Sequence, residues 1–482
     1  MPINQSRSSL TRKRSLGRRT LLRNAVFAAG ALGTMNVYPS ARTRVIVLGA
    51  GLAGLHAARL LAGQGYEVLV LEARSRVGGR LLTLDDLPGK PEGGGNVIGP
   101  NYGRVIHTAR ELNVELEVPP TRLGSGIRIG EASMRREEWA TSQFNPLPEG
   151  LRSLAPDRLA SSLLADNPLT WASAWRDAEF SGHDQSATDF FASKGLDARA
   201  LRLVDVNNSY GNRLDETSVL SLYRVQANVA RGMDMRQPTL QVRGGNMRLP
   251  EAMATNLAGR VQLDAEVLRV EQNPDGLRVW ARDGRTWAAD RVICTLPATV
   301  VRRMEFQPGL PIEQRLAVEG LHYHKVTQAH LIADHPWWEA HGAPASWWTD
   351  GPLGRIFTVP TGDGSGRFNI TCWINGDGCD RFDRVDSARA EADVMGLFLG
   401  LFPQARGHVR FGELVRWSRE EFNQGTWAIW RPGDIARFAD RLLRPHDRVF
   451  FAGEHTAYAN AGMEAAMASG ERAVLEVMRL GA

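Results

Sequence analysis

The feature that most constrains this fold is a glycine turn placed between an apolar strand and a helix. Arg44 to Leu48 (RVIVL) reads as a buried strand, and Gly49-Ala50-Gly51-Leu52-Ala53-Gly54 follows it as G-x-G-x-x-G. Leu52, Leu55, Ala58 and Leu61 recur at helical spacing, and Gly63 and Gly65 close that helix. A second strand, Glu67 to Leu71, delivers an acid, Glu72, at its end. Each part has a physical task. Gly49 allows the tight turn, Gly51 lets the backbone approach phosphate oxygens, and Gly54 lets the helix pack close to the strand. The helix N-terminus offers free N–H groups and positive dipole to a diphosphate. Glu72 is placed to accept hydrogen bonds from ribose hydroxyls. The expected class is α/β, with a Rossmann-like dinucleotide-binding domain.

The residues after Glu72 select the dinucleotide. Ala73-Arg74-Ser75-Arg76-Val77-Gly78-Gly79-Arg80 completes an E-A-R-x-R-x-G-G-R string. This string resembles the flavin-containing amine oxidase family, which includes monoamine oxidases, polyamine oxidases and L-amino acid oxidases. The resemblance implies FAD, with Ala73, Arg74, Gly79 and Arg80 running beside its diphosphate. The other end of the chain agrees. Arg448 to Ala452 is an apolar strand, followed by Gly453-Glu454-His455-Thr456 and by Gly462-Met463-Glu464 opening a helix to about Leu480. In the family, the acid after the glycine binds the ribityl chain, which implies that part for Glu454. The helix start, here Gly462, Met463 and Glu464, faces the flavin pyrimidine. A helix N-terminus suits that place, because reduced flavin carries negative charge near N1 and C2=O. Glu92-Gly93-Gly94-Gly95-Asn96-Val97-Ile98 resembles the family's acid-x-G-G segment, which implies that Gly95, Asn96, Val97 and Ile98 approach the isoalloxazine. Val267 matches the position whose backbone meets the adenine. The resemblance runs from about residue 42 onward and is dense at the two ends.

With 482 residues the chain is long enough for two or three domains. The FAD-binding domain is expected from three segments, 41–115, 240–300 and 440–482. The substrate-binding domain is expected from 116–239, mostly helical as in Glu216 to Arg231, and 301–439, with strands such as Phe368 to Trp373. Three cysteines, Cys294, Cys372 and Cys379, give neither a disulfide framework nor zinc spacing.

The formal charge of +5 is concentrated in residues 1–40, which carry seven basic residues and no acid. The remainder has 51 basic against 53 acidic residues, so no nucleic-acid-binding face is implied. Arg18-Arg19-Thr20-Leu21-Leu22-Arg23 resembles a twin-arginine export motif, with Leu21 where phenylalanine is usual. It precedes an apolar stretch, Ala25 to Val37, too short to span a membrane. Residues 1–40 are therefore read as an export leader and the protein as periplasmic or secreted. A homo-oligomer is compatible with the sequence.

Only four lysines occur, Lys13, Lys90, Lys194 and Lys325. Lys325 stands in an apolar, strand-like segment, Leu321 to Thr327, where a lysine is notable because it can be desolvated as arginine cannot. The resemblance implies a strand lysine here that holds a water at flavin N5 and assists re-oxidation by oxygen. Trp427 lies two residues after Gly425, where the family places an aromatic beside the flavin. A flat π face orients a neutral amine without donating a proton. The residue before it, a cysteine in members that link FAD covalently, is Thr426, so FAD is expected to be non-covalent. The second aromatic wall of monoamine oxidases falls on Gly462 or Met463 and is expected to be open.

The expected activity is FAD-dependent oxidation of an amine C–N bond to an imine, with reduction of oxygen to hydrogen peroxide. The alternatives are an L-amino acid oxidase, an amine dehydrogenase passing electrons to a periplasmic acceptor, and a carotenoid-type flavin desaturase. No arginine follows the first glycine-rich segment where amino acid oxidases clamp a carboxylate, which favours an amine without an α-carboxylate.

Overall fold

The computed structural model describes residues 43–479. The export leader expected over residues 1–40 lies outside the described residues. A five-stranded parallel sheet runs Val449–Phe451, Arg291–Cys294, Arg44–Leu48, Glu67–Leu71 and Val261–Gln262 in spatial order. The Arg44–Leu48 strand is central and pairs in register with both neighbours, Val45 beside Arg291 and Val68. A central parallel strand is covered on both faces, which explains its unbroken apolar run. The helix Leu52–Gly63 packs on this sheet and is crossed by the last helix, Gly462–Arg479. The crossing is close: a Cβ at Gly470 would stand 2.5 Å from the Ala53 carbonyl oxygen. That contact sets the start of the last helix beside the glycine turn.

A four-stranded sheet, Thr286–Ala289, Gly276–Ala281, Val267–Asn273 and Glu305–Gln307, flanks the first. A turn at Asp283-Gly284 joins its first two strands, with Gly284 at φ +86°.

A seven-stranded sheet forms the second large layer. Its order is Val409–Arg416, Val326–Ala333, Phe368–Asn375, Arg355–Pro360, Ser346–Thr349, Ser125–Ile129 and Ala132–Met134. The helix Ser387–Leu401 and the residues Trp337, Trp338, Phe398 and Phe402 build a core with this sheet. Tryptophans Trp337, Trp338, Trp347 and Trp348 are buried. The segment 116–239 supplies short helices. The helix expected from Glu216 begins instead at Val219 and ends at Asp234, because Ser218 caps it by accepting from the Ser221 N–H. Residues Leu214–Glu216 form a separate turn before that cap.

Candidate active site

The chain from Leu48 to Arg80 lines one side of a long cavity between the parallel sheet and the seven-stranded sheet. At one end lie Glu72, Ala73, Arg74, Ala265, Glu266 and Val267; in the middle Gly49, Gly51, Leu52, Ala53, Gly79 and Arg80; at the other end Gly95, Asn96, Val97, Thr426, Trp427, Gly462 and Met463. The Arg80–Glu454 pair lines it as well.

The glycine turn is held by the acid. Ala50 donates its N–H to Glu72 Oε2 at 2.8 Å, and Arg74 donates its N–H to Oε1 at 3.0 Å. Glu72 is buried, so these bonds fix the loop against the end of the second strand. Gly51 sits just before the helix in extended backbone, and a Cβ there would meet nothing within 4 Å. Its side-chain position opens into the cavity. At Gly54 a Cβ would stand 2.0 Å from the Gly49 carbonyl oxygen, so this residue seals helix against turn.

Arg74 bridges Glu72 and Glu420, the latter at 2.5 Å. Arg80 donates to the Thr426 carbonyl and to Glu454 Oε2, which also accepts from the Ala428 N–H at 3.2 Å. Two buried polar atoms on cavity-lining residues, Gln328 Oε1 and Asn423 Nδ2, have no protein partner. A glycine cradle with free helix N–H groups, flanking arginines and unpartnered amide atoms fit an elongated dinucleotide such as FAD.

Several expected site residues stand elsewhere. Ala50, Gly54 and Ile98 lie behind the cavity wall, Ile98 in a backbone pair with Leu240. Their part is to shape the wall. Glu464 does not line the cavity; its carboxylate accepts from the N–H groups of Arg104 and Val105 and from the Arg104 guanidinium at 3.0 Å. It caps the helix Gly103–Glu111 and ties it to the last helix.

Lys325 requires a larger correction. It falls at the break between a two-residue strand, His322–Tyr323, and the strand Val326–Ala333. Side chains alternate faces along a strand, and Val326 and Gln328 face the cavity, so Lys325 is directed away. Its Nζ binds Asp380 at 2.7 Å and Asp377 at 3.2 Å. Partial burial pulls its pKa down, but the two carboxylates outweigh that and raise it. Among the described residues no lysine lines the cavity, and the strand presents Gln328 there instead, its Nε2 donating to the Gly93 carbonyl at 3.2 Å. The lone amide in a fully buried strand, VTQAHLIA, is the available signal. Lys325→Met should therefore re-oxidise at the parental rate in stopped-flow mixing of reduced enzyme with oxygen. A slowing of tenfold or more would return the lysine to the mechanism.

The aromatic end is richer than expected. Trp427 donates its indole N–H to the Ser209 carbonyl at 2.6 Å and stacks on His324 with centroids 5.4 Å apart. Tyr210 lies 5.8 Å from Trp427, and Trp373 and Tyr102 also line the cavity. The wall expected to be open at Gly462 is filled from another segment: the Tyr102 hydroxyl lies 3.4 Å from where a Gly462 Cβ would be. Burial lowers the His324 pKa to about 4, so the ring under Trp427 is neutral near pH 7.

Comparison with known proteins agrees with this geometry. The profile of the flavin containing amine oxidoreductases matches residues 52–478. A Mycobacterium tuberculosis protein, AofH, assigned as a flavin-containing monoamine oxidase, is 30% identical over 467 residues, covering 90% of this chain and 96% of its own. An L-amino-acid oxidase of Demansia vestigiata is 26% identical over 462 residues, covering 90% and 87%. Among solved structures, putrescine oxidase bound to putrescine superposes with a TM-score of 0.75 at 22% identity, covering 91% of this chain and 99% of that one. Cyclohexylamine oxidase from Brevibacterium oxydans gives 0.74 at 20% identity with the same coverage. The chain belongs to the flavin-containing amine oxidoreductase family. It is an FAD-dependent enzyme that oxidises amines, a reading that includes amino acids as a special case.

Proposed function

We propose that this enzyme holds FAD non-covalently and oxidises a primary or secondary amine that reaches the aromatic end of the cavity in its neutral form. The observation that carries this is the joining of two ends in one cavity: the glycine turn with Glu72, and the Trp427–Tyr210 wall. When bound, the flavin supplies the acceptor for a hydride equivalent from the carbon bearing the amine, and oxygen then takes the electrons as hydrogen peroxide.

The residues of this chain position and exclude. Trp427, Tyr210, Trp373 and Tyr102 give flat surfaces that orient the amine and keep water out. The acids lining the cavity are Glu72, Glu266 and Glu454. Glu72 is engaged by two backbone N–H groups, Glu266 pairs with Arg282, and Glu454 pairs with Arg80. None is a free base at the aromatic end, which is why the amine must arrive deprotonated. Non-covalent binding is supported by Thr426 before Trp427 and by the lack, among the described residues, of any cysteine on the cavity wall.

A peroxide assay over a panel of amines and amino acids tests the reaction, and acid precipitation tests the linkage. The expected outcome is peroxide with at least one amine and FAD in the supernatant. Flavin retained on the precipitated chain would contradict non-covalent binding. With Gln328 where a lysine was expected, electron transfer to a periplasmic acceptor is the second reading. Amine-dependent reduction of an artificial acceptor without peroxide would select it. Export by the twin-arginine motif is part of the same proposal, and export of a folded reporter that survives replacing Arg18-Arg19 by lysines would sink that part.

A further inference from the structure

One side-chain amide joins the two tryptophans of the aromatic end. Asn375 closes the strand Phe368–Asn375 and is half-buried. Its Oδ1 accepts the Trp373 indole N–H at 2.9 Å. An indole nitrogen only donates, so the atom it meets is the amide oxygen and the other is the NH2. The same Oδ1 lies 3.2 Å from Nε2 of His324. An amide oxygen has no proton to give, so Nε2 carries the proton and donates. The tautomer of the buried His324 ring is fixed in this way.

The amide NH2 holds a second segment. It donates to the Val206 carbonyl at 3.2 Å and, more loosely, to Ser209 Oγ at 3.4 Å. Val206 lies in the last turn of the helix Ala198–Asn207, where carbonyls have no partner inside the helix. Asn375 supplies that partner at the point where the chain turns toward the cavity. Ser209 and Tyr210 follow. Tyr210 lines the cavity, and the Ser209 carbonyl takes the Trp427 indole N–H at 2.6 Å.

Two routes therefore run from Asn375 to Trp427. One passes through the Ser209 carbonyl, which fixes the edge of the indole. The other passes through His324, whose ring stacks on Trp427 with 23° between the planes. The backbones of these two residues are already joined, the His324 N–H donating to the Trp427 carbonyl at 2.9 Å. Backbone pairing sets where the two rings start, and the Asn375 amide sets how the imidazole is turned against the indole. Trp373 belongs to the seven-stranded sheet, and Trp427 precedes the two-residue strand Ala428–Ile429. One amide links their orientations.

We propose that Asn375 is a positioning residue for amine oxidation, setting Trp373 directly and Trp427 through His324 and Ser209. This rests on the amine-oxidising reading above and deepens it. Asn375 does not itself line the cavity, whereas both tryptophans do, so its effect on the reaction runs through them. Their flat surfaces place the reacting C–H. A displacement of about 1 Å in such a placement costs on the order of 100-fold in rate.

Anaerobic stopped-flow mixing of the holoenzyme with benzylamine, hexylamine or L-leucine reads the limiting rate of flavin reduction apart from the apparent Kd. Asn375→Leu, similar in size but without hydrogen bonds, should lower that rate by roughly 10- to 100-fold and change Kd by less than about threefold. Asn375→Asp keeps the acceptor for Trp373 and His324 and loses only the two donors, so it should recover part of the rate. Should Asn375→Leu fold poorly, Asn375→Asp reads the same loss in smaller measure. An amide that served stability alone would lower the unfolding temperature and leave the reduction rate parental. A second measurement needs no turnover. In protein carrying isotope-labelled tryptophan, NMR resolves the indole N–H signals, and Trp373→Phe and Trp427→Phe assign two of them. Asn375→Leu should move both, while the signal of Trp139, which donates to the Leu154 carbonyl, stays in place. The Trp427 signal is the diagnostic one, because its own acceptor is not the substituted residue. A parental reduction rate in Asn375→Leu, or an unmoved Trp427 signal, would overturn the inference and leave amine oxidation standing. Parental flavin reduced by no amine or amino acid, with the Trp427 signal still moving in the variant, would count against the amine-oxidising reading instead.

Discussion

Gly51→Val should give a folded protein that no longer retains FAD. Gly51 has extended backbone, φ −78° and ψ 178°, which valine adopts without strain. The Cβ that carries its added methyls has no protein atom within 4 Å, so the methyls start from open space. They would instead enter the cavity beside the first turn of the Leu52–Gly63 helix, where the diphosphate needs close backbone approach. The expected loss is on the order of 100-fold or more in FAD affinity, about 3 kcal/mol, with thermal unfolding of the apoprotein unchanged. Gly54→Ala is the control with the opposite signature. Its Cβ falls 2.0 Å from the Gly49 carbonyl oxygen, so helix and turn must separate, and the apoprotein itself should be destabilised by ~1–3 kcal/mol or more. Colourless Gly51→Val protein with a parental apo unfolding temperature would separate the two roles. Valine at 51 with full FAD content would show that the diphosphate does not pass this point.

The contrast shows what kind of information the sequence carried. The strand, turn, helix and acid from Arg44 to Glu72 form a local unit, and short-range pattern specifies it nearly residue by residue. The cavity beyond it is assembled from distant segments. Tyr102, Tyr210, Trp373 and Trp427 come from four separate stretches, and only Trp427 sits in a local motif. The space at Gly462 looked open because its occupant, Tyr102, is about 360 residues away along the chain. Lys325 was misplaced for a different reason. The segment around it is apolar, but the chain changes sheets at His324–Lys325, and one residue of strand parity decides which face a side chain takes. Glu464 shows a third limit. An acid at a helix start fits several partners equally well, and only the tertiary fold reveals that it caps a neighbouring helix.

Glu454→Ala should damage both the fold and the cofactor site, and the two effects can be measured apart. The carboxylate is buried and accepts from the Ala428 N–H and the Arg80 guanidinium. It thereby joins the Gly453 turn to the segment bearing Thr426 and Trp427, while Arg80 also reaches the Thr426 carbonyl. Removing it leaves a partly buried guanidinium without its anion and a buried N–H without an acceptor. Breaking such a pair from one side costs about 3 kcal/mol, more than the pair contributes against a neutral replacement of both partners. The apoprotein should therefore unfold at lower temperature, and Arg80→Met placed on top of Glu454→Ala should recover part of the loss, because the stranded charge is gone. FAD affinity should not recover in the double variant, since it lacks both the acceptor implied for the ribityl chain and the cation beside the diphosphate. A double variant as unstable as Glu454→Ala alone would mean that the lost Ala428 contact, rather than the unpaired Arg80, dominates the cost. Parental FAD affinity in Glu454→Ala would remove this carboxylate from the cofactor site and leave it as a strut between the last strand and the Trp427 wall.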